Sequence, residues 1–380
     1  MNRIYLDHAA TTPIHPLVIE TMTNAMKLFP GNPSSIHEDG RKAKFTIEES
    51  REKVASLLGK EPSEIIFTSS ATESINTVIK GILLSKYPEK VFYRSSKVEH
   101  HATLHSLQYA ATKNAENEWV KVNKFGEISE LGNNHVDLNS FMVVNNELGS
   151  VLFPEMVQNI KRNRQLLHLD GVQGLGKIAL KPYLEADFIS FSGHKIRGPK
   201  GVGVLVVSSG TVLEPLLHGG SHERNRRAGT ESVYQISGFA KALEISLENR
   251  ISAFENAKKL NSFLRNELQK LNHFIEFNSP ENGSPFILNF TFSKDEKEEI
   301  DGEALLMALD SKGISVSNGS ACSSGSFEAS HVLSEIGRTD YEAQATIRVS
   351  FSGETTKEEV TYFVETFDKV LMRMKEVKFV

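Results

Sequence analysis

Three patterns in the 380-residue sequence predict an α/β fold with a mostly parallel central sheet flanked by helices. Short apolar runs alternate with longer amphipathic stretches through the middle of the chain. Those runs are apolar almost without interruption, as strands covered on both faces are. After about residue 235 the texture changes to long helical patterns with few strands, which predicts a smaller α+β domain. A chain of this length exceeds one ordinary core, so two domains are expected, 15–250 as the large one and 1–14 with 251–380 as the small one.

In order, strands are predicted over 64–68, 91–94, 141–145, 166–170, 188–192 and 203–207, with helices over 73–84 and 154–164 between some of them. Residues 236–271 carry charged and apolar side chains at helical spacing and read as one long helix. Residues 286–292 alternate apolar with polar, as a strand with one buried face does. A helix over 303–309, a strand over 347–351 and a helix over 357–374 complete the smaller domain. Residues 317–326, rich in glycine and serine, read as a mobile loop.

Composition narrows the function. The chain is 39% hydrophobic and 24% charged, with a net charge of −5, and the charges form no long like-signed blocks. Nothing in that balance attracts nucleic acid or an anionic membrane. The first residues are polar and lack an apolar signal core, and the longest apolar run, 202–207, is far too short to span a bilayer. The single cysteine, Cys322, excludes an internal disulfide and a cysteine-rich metal cage, so a cytoplasmic protein without a metal site is expected.

Three strand ends carry chemistry. The strand at 188–192 runs into Ser192-Gly193-His194-Lys195, where Ser192 and His194 can donate to a phosphate and Lys195 can form an imine with an aldehyde. A bare lysine here is otherwise a solvated loop residue. Asp170 closes the strand at 166–170, where a buried carboxylate is costly unless a cation such as a pyridinium meets it; a helix N-cap is the alternative. Gln173 lies three residues on. The strand at 64–68 leads into Ala71-Thr72-Glu73, whose free N–H groups suit a phosphate, although Ser/Thr before Glu is also an ordinary helix start.

Ser192-Gly193-His194-Lys195, Asp170-x-x-Gln173 and Ala71-Thr72-Glu73 together resemble the fold-type I pyridoxal-phosphate (PLP) enzymes of the class V aminotransferase group. Within that group the chain most resembles cysteine desulfurases of the NifS/IscS type. Tyr5 to Pro13, Gly31 to Ser35, Val144 to Gly149, His218 to Arg224, Arg227 to Thr230, Ser317 to Cys322 and Ile347 to Ser350 carry the likeness nearly end to end. The resemblance implies that Lys195 holds PLP, Asp170 pairs with its pyridinium, and Gln173 and Asn146 lie near its ring hydroxyl. It further implies that Ala71, Thr72, Ser192 and His194 hold the phosphate, with Thr230 reaching in from a second subunit of a homodimer. His100 would stack on the ring and serve catalysis as an acid or base; on a strand only one of His100 and His101 could face the ring, and the family pattern selects His100.

Arg348 and Asn146 would bind the substrate, with Arg348 clamping its carboxylate, since the planar fork suits bidentate binding; a salt-bridged strand arginine is the common alternative. Cys322 would take sulfur from L-cysteine as a persulfide and release L-alanine. A lone cysteine is usually a small buried hydrophobe, but Ser320, Ala321, Ser323, Ser324 and Gly325 offer it no apolar packing. Two departures stand out: Gly171 where the family often has alanine, and Ser69-Ser70 in place of Ser-Gly. Sulfur acceptors open to such an enzyme are an iron–sulfur scaffold, a tRNA-thiolation protein and DNA-phosphorothioation machinery. The competing functions are a related PLP aminotransferase or lyase, in which Cys322 is incidental, and a non-catalytic sulfur-carrier scaffold.

Overall fold

The computed structural model describes residues 3–271, 274–293, 299–319 and 329–377. A short strand β1 (Ile4–Tyr5) precedes seven strands of one sheet: β2 (Ile65–Thr68), β3 (Val91–Ser96), β4 (Ala115–Val120), β5 (Leu138–Met142), β6 (Leu166–Asp170), β7 (Phe188–Ser192) and β8 (Gly203–Val207). Their spatial order is β2-β8-β7-β6-β5-β3-β4, and only β8 runs against its neighbours. Every residue of β2, β5, β7 and β8 is buried, so both faces of the sheet are covered by helices, as their unbroken apolar runs imply.

β4 escapes sequence reading because its residues, Ala-Glu-Asn-Glu-Trp-Val, belong to a half-exposed edge strand that needs apolar cover on one side only. β5 starts three residues earlier than expected and stops at Met142. Beyond it the side chain of Asn145 accepts from the N–H groups of Glu147 and Leu148 and donates to the Val98 carbonyl, which turns the chain out of the sheet.

The single helix expected over 236–271 is two, Val233–Glu248 and Arg250–Lys270. Asn249 separates them with its side-chain amide on the Ile245 carbonyl, a bond that competes with helix propagation. The first helix buries Phe239 and Leu243 in the core beside the large sheet, while the second buries Leu260, Leu264 and Leu268 in a separate core. That second core packs helices on a three-stranded antiparallel sheet formed by β9 (Ile275–Phe277), β10 (Ile287–Phe292) and, after β11 (Ile314–Ser315), by β12 (Thr346–Ser350). β10 is the central strand and is buried along its whole length, so its polar residues Asn289 and Thr291 face protein too.

β1 pairs in parallel with β11, which joins the start of the chain to the smaller sheet's side of the molecule. No helix among the described residues is long and apolar enough to cross a membrane.

Candidate active site

The C-terminal ends of β5, β6 and β7 open into a cavity of about 560 Å³, the position where open α/β sheets gather ligands. The starts of the helices that follow β2 and β3 close its sides, and the N-terminal segment at Ala9–Thr11 closes one end.

Asp170 and Lys195 both line this cavity from neighbouring strands. Among the described residues the Asp170 carboxylate accepts one hydrogen bond, from the Val172 N–H at 3.0 Å. Burial pushes its pKa up to about 6, against the opposing effects of that hydrogen bond and the Lys195 charge. Lys195 sits in a short 3₁₀ turn, Gly193–Lys195, and its Nζ donates to the carbonyls of Ala9 (2.6 Å) and Ala10 (2.7 Å). His194 shares a hydrogen bond with the Thr11 hydroxyl, and burial, followed by the charges of Lys195, Lys200 and Lys177, lowers its pKa to about 4. It is a neutral ring at pH 7.

His100 is not on a strand. It caps the helix His101–Ala111, with its Nδ1 accepting the Ala102 N–H at 3.1 Å. Consecutive residues at a helix start lie about 100° apart rather than opposite, so both His100 and His101 reach the cavity. The expectation that only one of them could do so is corrected. His101 also packs on His331 at 4.4 Å between ring centroids. Burial and the Lys195 charge hold His100 down at a pKa of about 4.

Ser70 caps the helix Ala71–Lys86 by accepting the Glu73 N–H, which leaves Ala71 and Thr72 in a first turn facing the cavity. Serine therefore does the capping here, where glycine would supply only backbone. Glu73 is held by the Arg227 guanidinium at 2.8 Å and the Ser69 N–H at 2.8 Å. The segment bearing Arg227 contains Glu223, Arg224 and Asn225 in succession at φ of 46°, 56° and 63°. Left-handed backbone costs about 1–2 kcal/mol per non-glycine residue. The buried Glu223 carboxylate offsets this by accepting from both Nη atoms of Arg51, at 2.7 and 2.9 Å, and from the Phe67 N–H. Thr230, at the end of this segment, is exposed and is not among the residues lining the cavity of its own chain.

Arg348 comes from β12 and is buried. It donates to Asp7 (2.9 Å), to the Asn146 carbonyl (2.9 Å) and to the Gly319 carbonyl (3.0 Å). Three of a guanidinium's five N–H donors are thereby used, and its Nε has no hydrogen-bond partner among the described residues. Asn146 and Ser192 line the same cavity. Cys322 lies outside the described residues; Gly319, three positions before it, lines the cavity.

Sequence reasoning missed the carbonyls of Ala9 and Ala10, the Glu73–Arg227 pair, and Lys177, which donates to Gln173 from four residues on. The last had a signal in the i, i+4 spacing of Gln173 and Lys177. The Gly171 departure has a physical partner: a methyl group there would lie 2.4 Å from Cε1 of the buried Phe191.

A buried carboxylate that keeps a proton up to about pH 6, an amine in the turn after the next strand and an open helix start suit the three poles of PLP. These are its ring nitrogen, its aldehyde and its phosphate.

The model of the class-V aminotransferase family matches residues 4–363. The cysteine desulfurase IscS of Dictyoglomus turgidum is 37% identical over 382 residues, covering 98% of this chain and 96% of the relative. A solved NifS-like protein superposes with a TM-score of 0.88 at 36% identity, covering 97% of this chain and 99% of its own. SspA, solved in complex with cysteine, does so with a TM-score of 0.78 at 30% identity, covering 93% and 99%.

Proposed function

Because this chain belongs to the class-V aminotransferase family, among its cysteine desulfurases, we propose that the cavity around Lys195 holds PLP and passes the sulfur of L-cysteine to Cys322. The enzyme converts L-cysteine to L-alanine, so one C–S bond breaks and the sulfur leaves with a protein thiol. The observation that carries the site assignment is the convergence of Asp170, Lys195, His100 and the Ala71–Thr72 helix start on one cavity.

PLP, when bound, supplies the electron sink that acidifies the substrate Cα–H and makes the C–S bond labile. Lys195 would hold it through Nζ and carry protons to and from the substrate carbons. Asp170 would keep a proton on the ring nitrogen, for which burial has already primed its carboxylate. His100, neutral across the working pH range, would pack on the ring without adding a charge. Ala71, Thr72, Ser192 and His194 would hold the phosphate, and Gln173 and Asn146 the ring hydroxyl.

Arg348 would take the substrate carboxylate through the N–H donors its protein partners leave over. The Cys322 thiolate attacks the substrate sulfur, an S–S bond forms as the C–S bond breaks, and the electron pair left on carbon takes a proton to give alanine. The persulfide then goes to an acceptor protein: an iron–sulfur scaffold, a tRNA-thiolation protein or DNA-phosphorothioation machinery. A homodimer would bring Thr230 to the partner's phosphate site, consistent with its exposure here.

Purified protein given L-cysteine and a reductant should release alanine and sulfide in equal amounts. Lys195→Ala should abolish both, and Cys322→Ala should abolish sulfide. Keto acid in place of alanine would overturn the reading.

A further inference from the structure

Lys177 lies behind the cavity wall rather than in it. It is buried, and it lines a second cavity of about 220 Å³ on the far side of Lys195. Its Nζ donates to Gln173 Oε1 at 2.6 Å, and the Gln173 Nε2 donates to the Ala9 carbonyl at 2.8 Å. That same carbonyl accepts from Lys195. The Ala9 carbonyl can only accept, so it requires the amide nitrogen, and Lys177 in its ammonium form can only donate, so it requires the amide oxygen. An amide has two N–H donors; with one on Ala9, the other is what Gln173 can offer to the cavity it lines.

We propose that Lys177 is a positioning residue that locks the Gln173 amide so that the cavity meets an N–H donor and not a carbonyl, which selects the deprotonated, acceptor form of the PLP ring oxygen. The idea rests on the PLP reading above and deepens it. A buried cation is expensive, and the charges that act on Lys177 most are the like charges of Lys195 and Arg348. Burial, the larger cause, and those charges lower its pKa to about 7. A residue kept in so unfavourable a place, with its donor on a cofactor-facing amide, is better explained by that amide than by packing.

The test is the cofactor affinity of the cofactor-free protein and the absorption spectrum after PLP is added back. Lys177→Met keeps the stem and removes the donor. It should weaken PLP binding about tenfold and move absorbance from the long-wavelength band of the ring phenolate to the shorter-wavelength band of the neutral ring. Lys177→Arg retains donors, has the 220 Å³ cavity to grow into, and should restore the long-wavelength band. In a Gln173→Ala background, Lys177→Met should add nothing, since the lysine acts through that amide. An unchanged spectrum and affinity in Lys177→Met, or full additivity with Gln173→Ala, overturns the proposal. Thermal melts of the cofactor-free variants separate these effects from misfolding; if Lys177→Met fails to fold, the Lys177→Arg and Gln173→Ala spectra decide. A wild-type protein that binds no PLP would sink the cofactor reading instead.

Discussion

Asp170 and Arg348 are buried charges in one cavity, yet the two sheets hold them in opposite ways. Asp170 ends a strand of the seven-stranded sheet and, among the described residues, its carboxylate receives a single local hydrogen bond, from two residues on. Arg348 sits within a strand of the three-stranded sheet and is met by acceptors at Asp7, Asn146 and Gly319, which lie far apart in sequence. Much of the desolvation cost of the arginine is compensated by the fold itself. That of the aspartate is left for a ligand to compensate, and its raised pKa records the difference. Strain of this kind belongs to chemistry, whereas the arginine serves cohesion and binding together.

The contrast breaks most visibly at Asp170. Asp170→Asn should lower kcat by about 10²–10⁴-fold, the usual scale for losing control of a proton, while stabilising the cofactor-free protein by about 1–3 kcal/mol at neutral pH. The folded pKa lies above the unfolded one. The penalty that asparagine relieves is therefore present above about pH 6 and absent below about pH 4, as melts across that range would show. A stability loss at pH 7.5 would mean that Asp170 is a structural cap after all.

Arg348→Lys should do the reverse on stability. It leaves the Asp7, Asn146 and Gly319 acceptors short of donors, so the melting temperature falls, and KM for L-cysteine rises about 10–100-fold through the loss of a bidentate contact. An unchanged KM would remove Arg348 from substrate binding.

Gly171→Ala probes the sheet beneath Asp170. The added methyl meets Phe191, and overpacking at such a site costs about 1–3 kcal/mol. Phe191→Leu in the same chain should recover part of that loss in a denaturant titration.

The smallest effect expected is in acid. His8, His100, His168 and His194 all have folded pKa values lowered by burial, to about 4, 4, 3 and 4. The unfolded chain binds protons at these sites first, so their contribution is complete above about pH 6.5 and is lost as pH falls towards 4. Asp170 and Glu99, with raised values, act in the opposite direction and blunt the slope. His168, held between the Ser140 and Ser190 hydroxyls, contributes through the fold alone. His168→Gln should flatten the acid side of the melting curve without touching KM.

Much of the site was legible because it is local. A strand that ends in Ser-Gly-His-Lys must present that lysine at the sheet's carboxyl edge, and a strand ending in Asp170 must present it beside the lysine's strand if the two are neighbours. The helix break at Asn249 was hidden because periodicity continues smoothly on both sides of it. β4 was hidden because an edge strand needs few apolar residues. The two histidines were misjudged because a helix cap and a strand residue look alike in sequence.

By itself the sequence determined the parallel sheet and the candidate residues at its strand ends, since burial on both faces and short-range geometry leave their mark in neighbouring letters. Only the tertiary structure decided that Asp7 meets Arg348 across 341 positions and that Glu73 grips Arg227 across 154. The two long-range pairs join segments that only the folded chain brings together, and no local preference encodes such a distance.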